Sequence, residues 1–122
     1  IILPIKKKWF DMILSGEKKE EYREIKHYYI ARFVKWLGFP KSEEKTVLQL
    51  MRETESIKPR EIAFRNGYSA DSPSFIAKCT IKIGMGREGW GAEKGTVYFI
   101  LTIHEILDMA AGKEKCNAND KK

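Results

Sequence analysis

Cysteine and histidine are scarce in this chain, which limits the metal and disulfide chemistry that it can carry. Among its 122 residues, these two types occur only as Cys79, Cys116, His27 and His104. Two cysteines make no disulfide framework, and their distance from the histidines fits no familiar zinc spacing. The sequence therefore predicts no metal site. We expect Cys79 to pack inside a strand and His104 to be a strand residue with local hydrogen bonds.

Long apolar runs are absent as well. No run approaches the roughly 20 apolar residues that span a bilayer. The short Ile1–Ile5 segment precedes three lysines, which is the reverse of the order in a secretory signal. We therefore expect a cytoplasmic protein without membrane contact. The sequence does not fix the oligomeric state, and a monomer is favoured.

The composition is that of one globular domain. Hydrophobic residues make up 43% of the chain and charged residues 33%, whereas a disordered chain is poorer in apolar residues. The length suits a single domain better than two. We expect this domain to cover residues 1–112, and residues 113–122 to form a flexible polar tail.

The net charge is +6, and most of it lies in the first half of the chain. Residues 1–60 contain 14 basic and 9 acidic residues, against 9 and 8 in residues 61–122. A positive field on one half of a small protein favours polyanions. A solvated basic surface explains the surplus equally well, so charge alone leaves nucleic-acid binding open.

Helical periodicity dominates the first half. Apolar residues at helical spacing predict helices over residues 7–15 and 29–37, each followed by a glycine, Gly16 or Gly38, that can end a helix. Ser42 is placed to cap a third helix. The apolar side of that helix would lie within residues 47–51, a segment that also resembles a strand.

A period of two replaces helical spacing after residue 59. It predicts strands over residues 60–65, 75–84 and 96–106, and Ile1–Ile5 is β-branched enough to form another. The fold class is therefore α+β, a small β-barrel with helices beside it. Residues 84–89 match G-x-G-x-x-G, but more glycines and a strand follow where a dinucleotide site needs a helix. We interpret this loop as a hairpin connection that carries Trp90, and no cofactor is predicted.

The segment Gly16-Glu17-Lys18-Lys19-Glu20-Glu21-Tyr22-Arg23 fits the pattern Gly-x-Lys-x-x-Glu-x-Arg. It lies after a strand and a glycine-terminated helix and before an aromatic helix. In this order it resembles the signature of the ASCH (activating signal cointegrator homology) family. Two later stretches are similar to one branch of that family: residues 64–69 (FRNGYS), and 90–93 (WGAE) leading into 98–101 (YFIL). The resemblance covers about residues 1–108.

The resemblance implies a PUA-like β-barrel in which the signature residues line a cleft between the barrel and the first helix. It also implies RNA or a nucleotide-like molecule as the ligand, and a strand over residues 19–25, whose charged residues have poor strand propensity. On a strand, Glu21 and Arg23 share one face, and Lys18 lies at the preceding turn, pointing inward. A carboxylate between two cations stays ionised and could present both to a phosphate. The alternative is an ion-pair ladder on an exposed strand.

Aromatic residues in the glycine-containing loops are further candidates. Tyr68 and Trp90 could stack on bases, as in single-stranded RNA recognition, and Arg65 lies in the first of the two similar stretches. A loop tryptophan that caps the end of a barrel is the alternative for Trp90. We assign Trp9 and Tyr29 to core or helix packing.

Four functions are compatible with these residues. The leading one is an RNA- or nucleotide-binding module that uses Lys18, Glu21, Arg23, Arg65, Tyr68 and Trp90. The second is an amidohydrolase acting on a modified nucleoside of the acetylated cytidine type, with Lys18 and Glu21 catalytic. The family branch with that activity has Thr at the position of Glu21. The others are a metal-assisted ribonuclease using Glu21 and Glu93, and a protein-interaction module with a degenerate cleft.

Overall fold

Five strands form one sheet, and three helices pack their apolar sides into the same core. The computed structural model describes residues 1–53 and 58–111, with side chains through residue 107 in the last strand. The predicted tail over residues 113–122, including Cys116, lies outside the described residues. The elements are β1 (Ile2–Ile5), α1 (Lys7–Leu14), β2 (Glu20–Glu24), α2 (His27–Trp36), α3 (Glu44–Glu53), β3 (Arg60–Asn66), β4 (Pro73–Met85) and β5 (Val97–Ala111).

The strand order is β1-β3-β4-β5-β2, so the two short N-terminal strands form the two edges of the sheet. β1 pairs with β3 in parallel, and the other three ladders are antiparallel. The sheet curls into a half-barrel. Its edges are close enough for the Arg23 guanidinium on β2 to donate to the Pro4 carbonyl on β1 at 2.8 Å. The predicted α+β class is therefore confirmed, as is the place of the N-terminal strand in the same sheet.

The core lies between the sheet and the helices. On β4 the period of two buries alternate residues completely, and Cys79 is one of them. Burial raises the pKa of its thiol to about 12, so this cysteine is a small core residue rather than a reactive one. The helices contribute buried residues at helical spacing, namely Phe10, Ile13, Phe33, Val34, Val47 and Met51.

Two of the three predicted helix-terminus signals are correct. Gly16 and Gly38, with φ of 86° and 89°, adopt the left-handed conformation just beyond α1 and α2. The predicted cap at Ser42 is wrong, because Ser42 lies inside a single 3-10 turn, Lys41–Glu43, that leads directly into α3. The predicted helical nature of residues 47–51 is confirmed.

The glycine-rich segment between β4 and β5 is a hairpin connection, as predicted. Met85 pairs with Val97 across the hairpin, and the connection contains one 3-10 turn, Glu88–Trp90. On β5, the His104 ring lies 2.8 Å from the Thr80 hydroxyl, the local hydrogen bond expected for a strand histidine. None of the helices in the described part of the chain has the length and apolar character needed to cross a bilayer.

Candidate functional site

Three signature residues meet in one ion-pair cluster at the edge strand β2. The Glu21 carboxylate lies 3.3 Å from the Lys18 ammonium through Oε1 and 2.9 Å from the Arg23 guanidinium through Oε2. Glu21 and Arg23 are two residues apart on β2 and so share a face. Lys18 joins them from the turn before β2, where its backbone N–H donates to the Met12 carbonyl at 2.9 Å. We call Lys18, Glu21 and Arg23 the buried cluster.

Lys18 lies at the bottom of this cluster, and its side chain is only 1% exposed. Its ammonium donates to the Trp90 backbone carbonyl and lies between the rings of Trp9 and Tyr22, 4.7 and 5.0 Å from their centroids. The lysine side chain points inward as expected, but the surrounding residues bury it, so a ligand in the cleft does not contact it. Burial lowers the pKa of Lys18 below its ordinary value, although the Glu21 carboxylate opposes the shift.

Arg23 fastens the two edges of the sheet and α2 to one another. Besides its ion pair with Glu21, its guanidinium donates to the Pro4 carbonyl at 2.8 Å and to the Tyr29 hydroxyl at 3.1 Å. A guanidinium has five N–H groups, and these three bonds leave two without a partner among the described residues. The expected ion pair with Glu21 is present, but it lies in the wall of a cleft and not on an exposed ladder.

The β4–β5 loop covers the cluster from the other side. The backbone N–H of Arg87 donates to the Tyr22 hydroxyl at 2.9 Å, and that of Glu93 donates to the Tyr98 hydroxyl at 2.9 Å. A Cβ on Gly86 would lie 2.5 Å from the Tyr22 ring, so only glycine allows this approach. The loop is thereby held against β2 and β5 directly above Lys18.

Beside the cluster lies an open cleft of about 570 Å³. Its walls are the end of β1, the start of α1, strand β2, the start of α2 and the turn after β3. Aromatic rings and charged groups share this space. The aromatic lining consists of Trp9, Tyr22, Tyr29, Tyr68 and Tyr98, the cationic lining of Lys6, Lys7, Arg23 and Lys26, and the acidic lining of Glu21 and Glu24.

Two helices begin at this cleft, and a lysine occupies the N-cap position of both. Lys6 and Lys26 are the N-cap residues of α1 and α2, and neither helix has a side-chain cap or an acidic residue in its first turn. Free amides and the helix dipole favour anions at such ends, and lysine there is electrostatically unfavourable. Lys6, Lys7 and Lys26 are exposed, and we call them the rim lysines. The positive charge of the cleft is therefore concentrated on its rim.

Of the other predicted site residues, one lines the cleft and three do not. Tyr68 lines the cleft and is 87% exposed, as a stacking platform requires. Arg65 is not among the described residues that line it, because alternation on β3 turns it away from the buried Phe64. Trp90 contributes its backbone carbonyl to Lys18, while its ring lies under the Arg87 guanidinium at 4.6 Å and outside the cleft lining. Glu93 is exposed in the loop and does not line the cleft either.

Several cleft residues were not predicted from the sequence. The predicted packing role of Trp9 and Tyr29 is incomplete, because both are half-buried and also line the cleft. The rim lysines were counted only as part of the overall charge. One signal could have found Lys6 and Lys26: each comes directly before a predicted helix, at a position that helices usually give to Ser, Thr, Asp or Asn.

A search for metal-ligand clusters and comparison with known proteins give no further information about the site. Within residues 1–53 and 58–107, no three His, Cys, Asp or Glu side chains group in a way that could hold a metal ion. Comparison with protein-family models, with curated proteins and with solved structures gives no match.

Proposed function

We propose that the chain is an RNA- or nucleotide-binding module of the ASCH type, with a PUA-like barrel, and that its ligand occupies the cleft beside the buried cluster. The combination of five aromatic rings and four cations, three of them on the exposed rim, in one space of about 570 Å³ is the observation that carries this proposal. Nucleotides offer both a π-face for stacking and a phosphate for cations. A cytoplasmic monomer is part of the same proposal.

Each part of the cleft suits one part of a nucleotide. The phosphate belongs at the rim, where Lys6 has no partner among the described residues and the helix ends supply free amides. The base belongs among the tyrosines, where Tyr68 is the most exposed ring. The two free N–H groups of Arg23 and the remaining lone pairs of Glu21 can reach polar edges of the base.

The buried cluster then has an architectural role in this module. Lys18 neutralises Glu21 from below and ties the β4–β5 loop to β2, while Arg23 ties β2 to β1. Both cations hold the cleft open in one shape, and Lys18 does not touch the ligand. This role differs from the direct phosphate contact that the signature alone suggests.

Binding of a fluorescent single-stranded oligoribonucleotide, followed by anisotropy over a range of salt concentrations, tests the proposal. We expect the Lys6→Ala/Lys26→Ala double variant to bind roughly tenfold or more weakly at moderate salt, because each lysine lost removes the release of counterions from one phosphate. The magnitude of the slope of log K against log salt should decrease by about 1.4, close to 0.7 for each lysine on a single strand.

A matched variant controls for net charge. Lys41→Ala/Lys45→Ala removes two exposed lysines that do not line the cleft and should change the affinity only slightly. Equal losses of affinity in the two double variants would mean that binding depends only on the overall charge of +6. The cleft proposal would then be wrong.

The second candidate is an amidohydrolase that acts on an acetylated cytidine. The lowered pKa of Lys18 favours it, because a lysine that deprotonates more easily is a better base. Two observations oppose it: the Lys18 side chain is 1% exposed, and Glu21 replaces the Thr of the family branch with that activity. The binding module therefore ranks first.

Release of acetate from N4-acetylcytidine separates the two candidates. We expect no turnover above the rate of a Lys18→Met variant. Turnover by the parent that is lost in Lys18→Met but kept in Lys19→Met, its exposed neighbour, would make the chain an enzyme and reverse the ranking.

A further inference from the structure

The outer face of α2 carries an exposed aromatic–cation pair next to the cleft. Tyr28 is 54% exposed, and the Arg32 guanidinium lies over its ring at 4.2 Å from the centroid. The two residues are four positions apart on the helix, so they lie on one face. Arg32 has no carboxylate partner among the described residues, and α2 contains no Asp or Glu.

This pair is physically continuous with the cleft. The Tyr28 ring meets the ring of Tyr29, which lines the cleft, edge to face at a centroid distance of 5.0 Å. Successive stacked nucleotides are spaced by about 3.4 Å, so a strand that leaves the cleft past Tyr29 reaches Tyr28 within one or two nucleotides. The cleft itself ends at Tyr29 on this side of the helix.

Positive charge continues beyond the pair. A hollow of about 340 Å³ lies next to it, and its described lining is Ile1, Arg32, Lys35 and Trp36. Among these described lining residues are two cations and no carboxylate. Along α2 the order is therefore exposed tyrosine, cleft tyrosine, arginine and lysine. Stacking surfaces with cations beside them follow a single-stranded polynucleotide, whereas a mononucleotide would use only the cleft.

We propose that Tyr28 and Arg32 form an outer subsite for the nucleotide that follows the one in the cleft. The ligand is then a single-stranded oligonucleotide and not a free mononucleotide. Tyr28 stacks on a base, and Arg32 holds the phosphate that connects this base to the cleft nucleotide. This inference rests on the proposed function, because it extends the same cleft.

Comparing two probes, uridine monophosphate and hexauridylate, tests the subsite by isothermal titration calorimetry. The parent should bind hexauridylate more tightly. The Tyr28→Ala/Arg32→Ala variant should lose about tenfold in affinity for hexauridylate, the order of effect that one stacked base has in such proteins. Its affinity for uridine monophosphate should stay unchanged, and so should its melting temperature, because Tyr28 and Arg32 are exposed.

A Phe39→Ala/Arg52→Ala variant is the matched control. It also removes one exposed aromatic residue and one exposed arginine, but neither belongs to the subsite, and both affinities should equal those of the parent. Parental hexauridylate binding by Tyr28→Ala/Arg32→Ala, alongside weakened binding by Lys6→Ala/Lys26→Ala, would overturn the subsite and leave the proposed function standing. No binding of either probe by the parent would overturn both.

Discussion

The buried cluster and the rim lysines place charged side chains in opposite environments. The side chains of Lys18, Glu21 and Arg23 are 1%, 9% and 11% exposed, whereas those of Lys7 and Lys26 are 75% and 55% exposed. The cluster charges neutralise one another inside the protein, whereas Lys7 and Lys26 form exposed ion pairs with Asp11 and Glu24 that water screens. The cluster therefore stabilises the shape of the cleft, and the rim is free to meet a ligand.

This difference teaches that a charged signature need not be the contact surface. An exposed ion pair contributes about 0–1 kcal/mol, whereas removing one partner of a buried pair costs about 3–5 kcal/mol. Substitutions in the cluster should act mainly on stability, and substitutions on the rim mainly on binding. The next three predictions test the stability half of this comparison, from the largest expected effect to the smallest.

Glu21→Ala should be the most destabilising of these changes. It leaves Lys18 and Arg23 buried side by side without a carboxylate, so we expect a loss of about 3–5 kcal/mol in the free energy of unfolding. Urea denaturation measures this. Glu24→Ala is the control on the same strand, because the Glu24 side chain is 70% exposed in its pair with Lys26, and its effect should stay within about 0.5 kcal/mol. Similar losses in both variants would mean that burial does not distinguish the two carboxylates.

Gly86→Ala should have an intermediate effect. The new Cβ would lie 2.5 Å from the Tyr22 ring, so the ring or the loop must move, at a cost of roughly 1–3 kcal/mol. Gly89→Ala, in the same loop, adds a Cβ with no atom within 4 Å and should be nearly neutral. Thermal unfolding of the two variants gives the comparison. Equal melting temperatures would show that the loop does not press on Tyr22.

The contribution of Lys18 to the pH dependence of stability should be the smallest of the three effects. Because burial lowers its pKa below 10.5, the folded state releases the Lys18 proton before the unfolded state does. Between the lowered pKa and 10.5 the unfolded chain binds more protons, so stability rises with pH in that window. We expect the parent to gain stability relative to Lys18→Met as the pH rises through this window towards 10.5.

The difference between the two proteins isolates Lys18, since Tyr22 and Cys79, whose pKa values burial raises, are present in both. Urea denaturation at several pH values provides the data. A difference that falls as the pH rises would show that the ion pair with Glu21 outweighs burial, and the sealed environment of Lys18 would be contradicted.

Local signals in the sequence predicted much of the fold. A period of two placed β3, β4 and β5 to within a few residues at most ends, because one face of each strand must be buried. The pairing of Glu21 with Arg23 follows from strand geometry once the family resemblance implies a strand there, since this charged segment has poor strand propensity. These features depend on neighbours in the chain, which a sequence displays directly.

Features that depend on distant residues were missed. The burial of Lys18 requires the Trp90 carbonyl, 72 residues away, and no local pattern shows where that loop lies. Trp9 and Tyr29 belong to amphipathic helices, and residues at the border of an apolar stripe can face either a core or a cleft. Arg65 is predicted only because residues 64–69 are similar to one branch of the ASCH family. That similarity does not indicate on which face of β3 the side chain lies.

The most direct test of the central claim is to locate the ligand on the folded chain. Titrating isotopically labelled protein with hexauridylate and following backbone amide shifts maps the contact surface. We predict that the largest shifts cluster at residues 5–9, 22–32 and 66–68, around the cleft and the outer subsite, with α3 and the middle of β4 unaffected. Shifts confined to α3 or to the outer face of the sheet, with none around the cleft, would contradict the account.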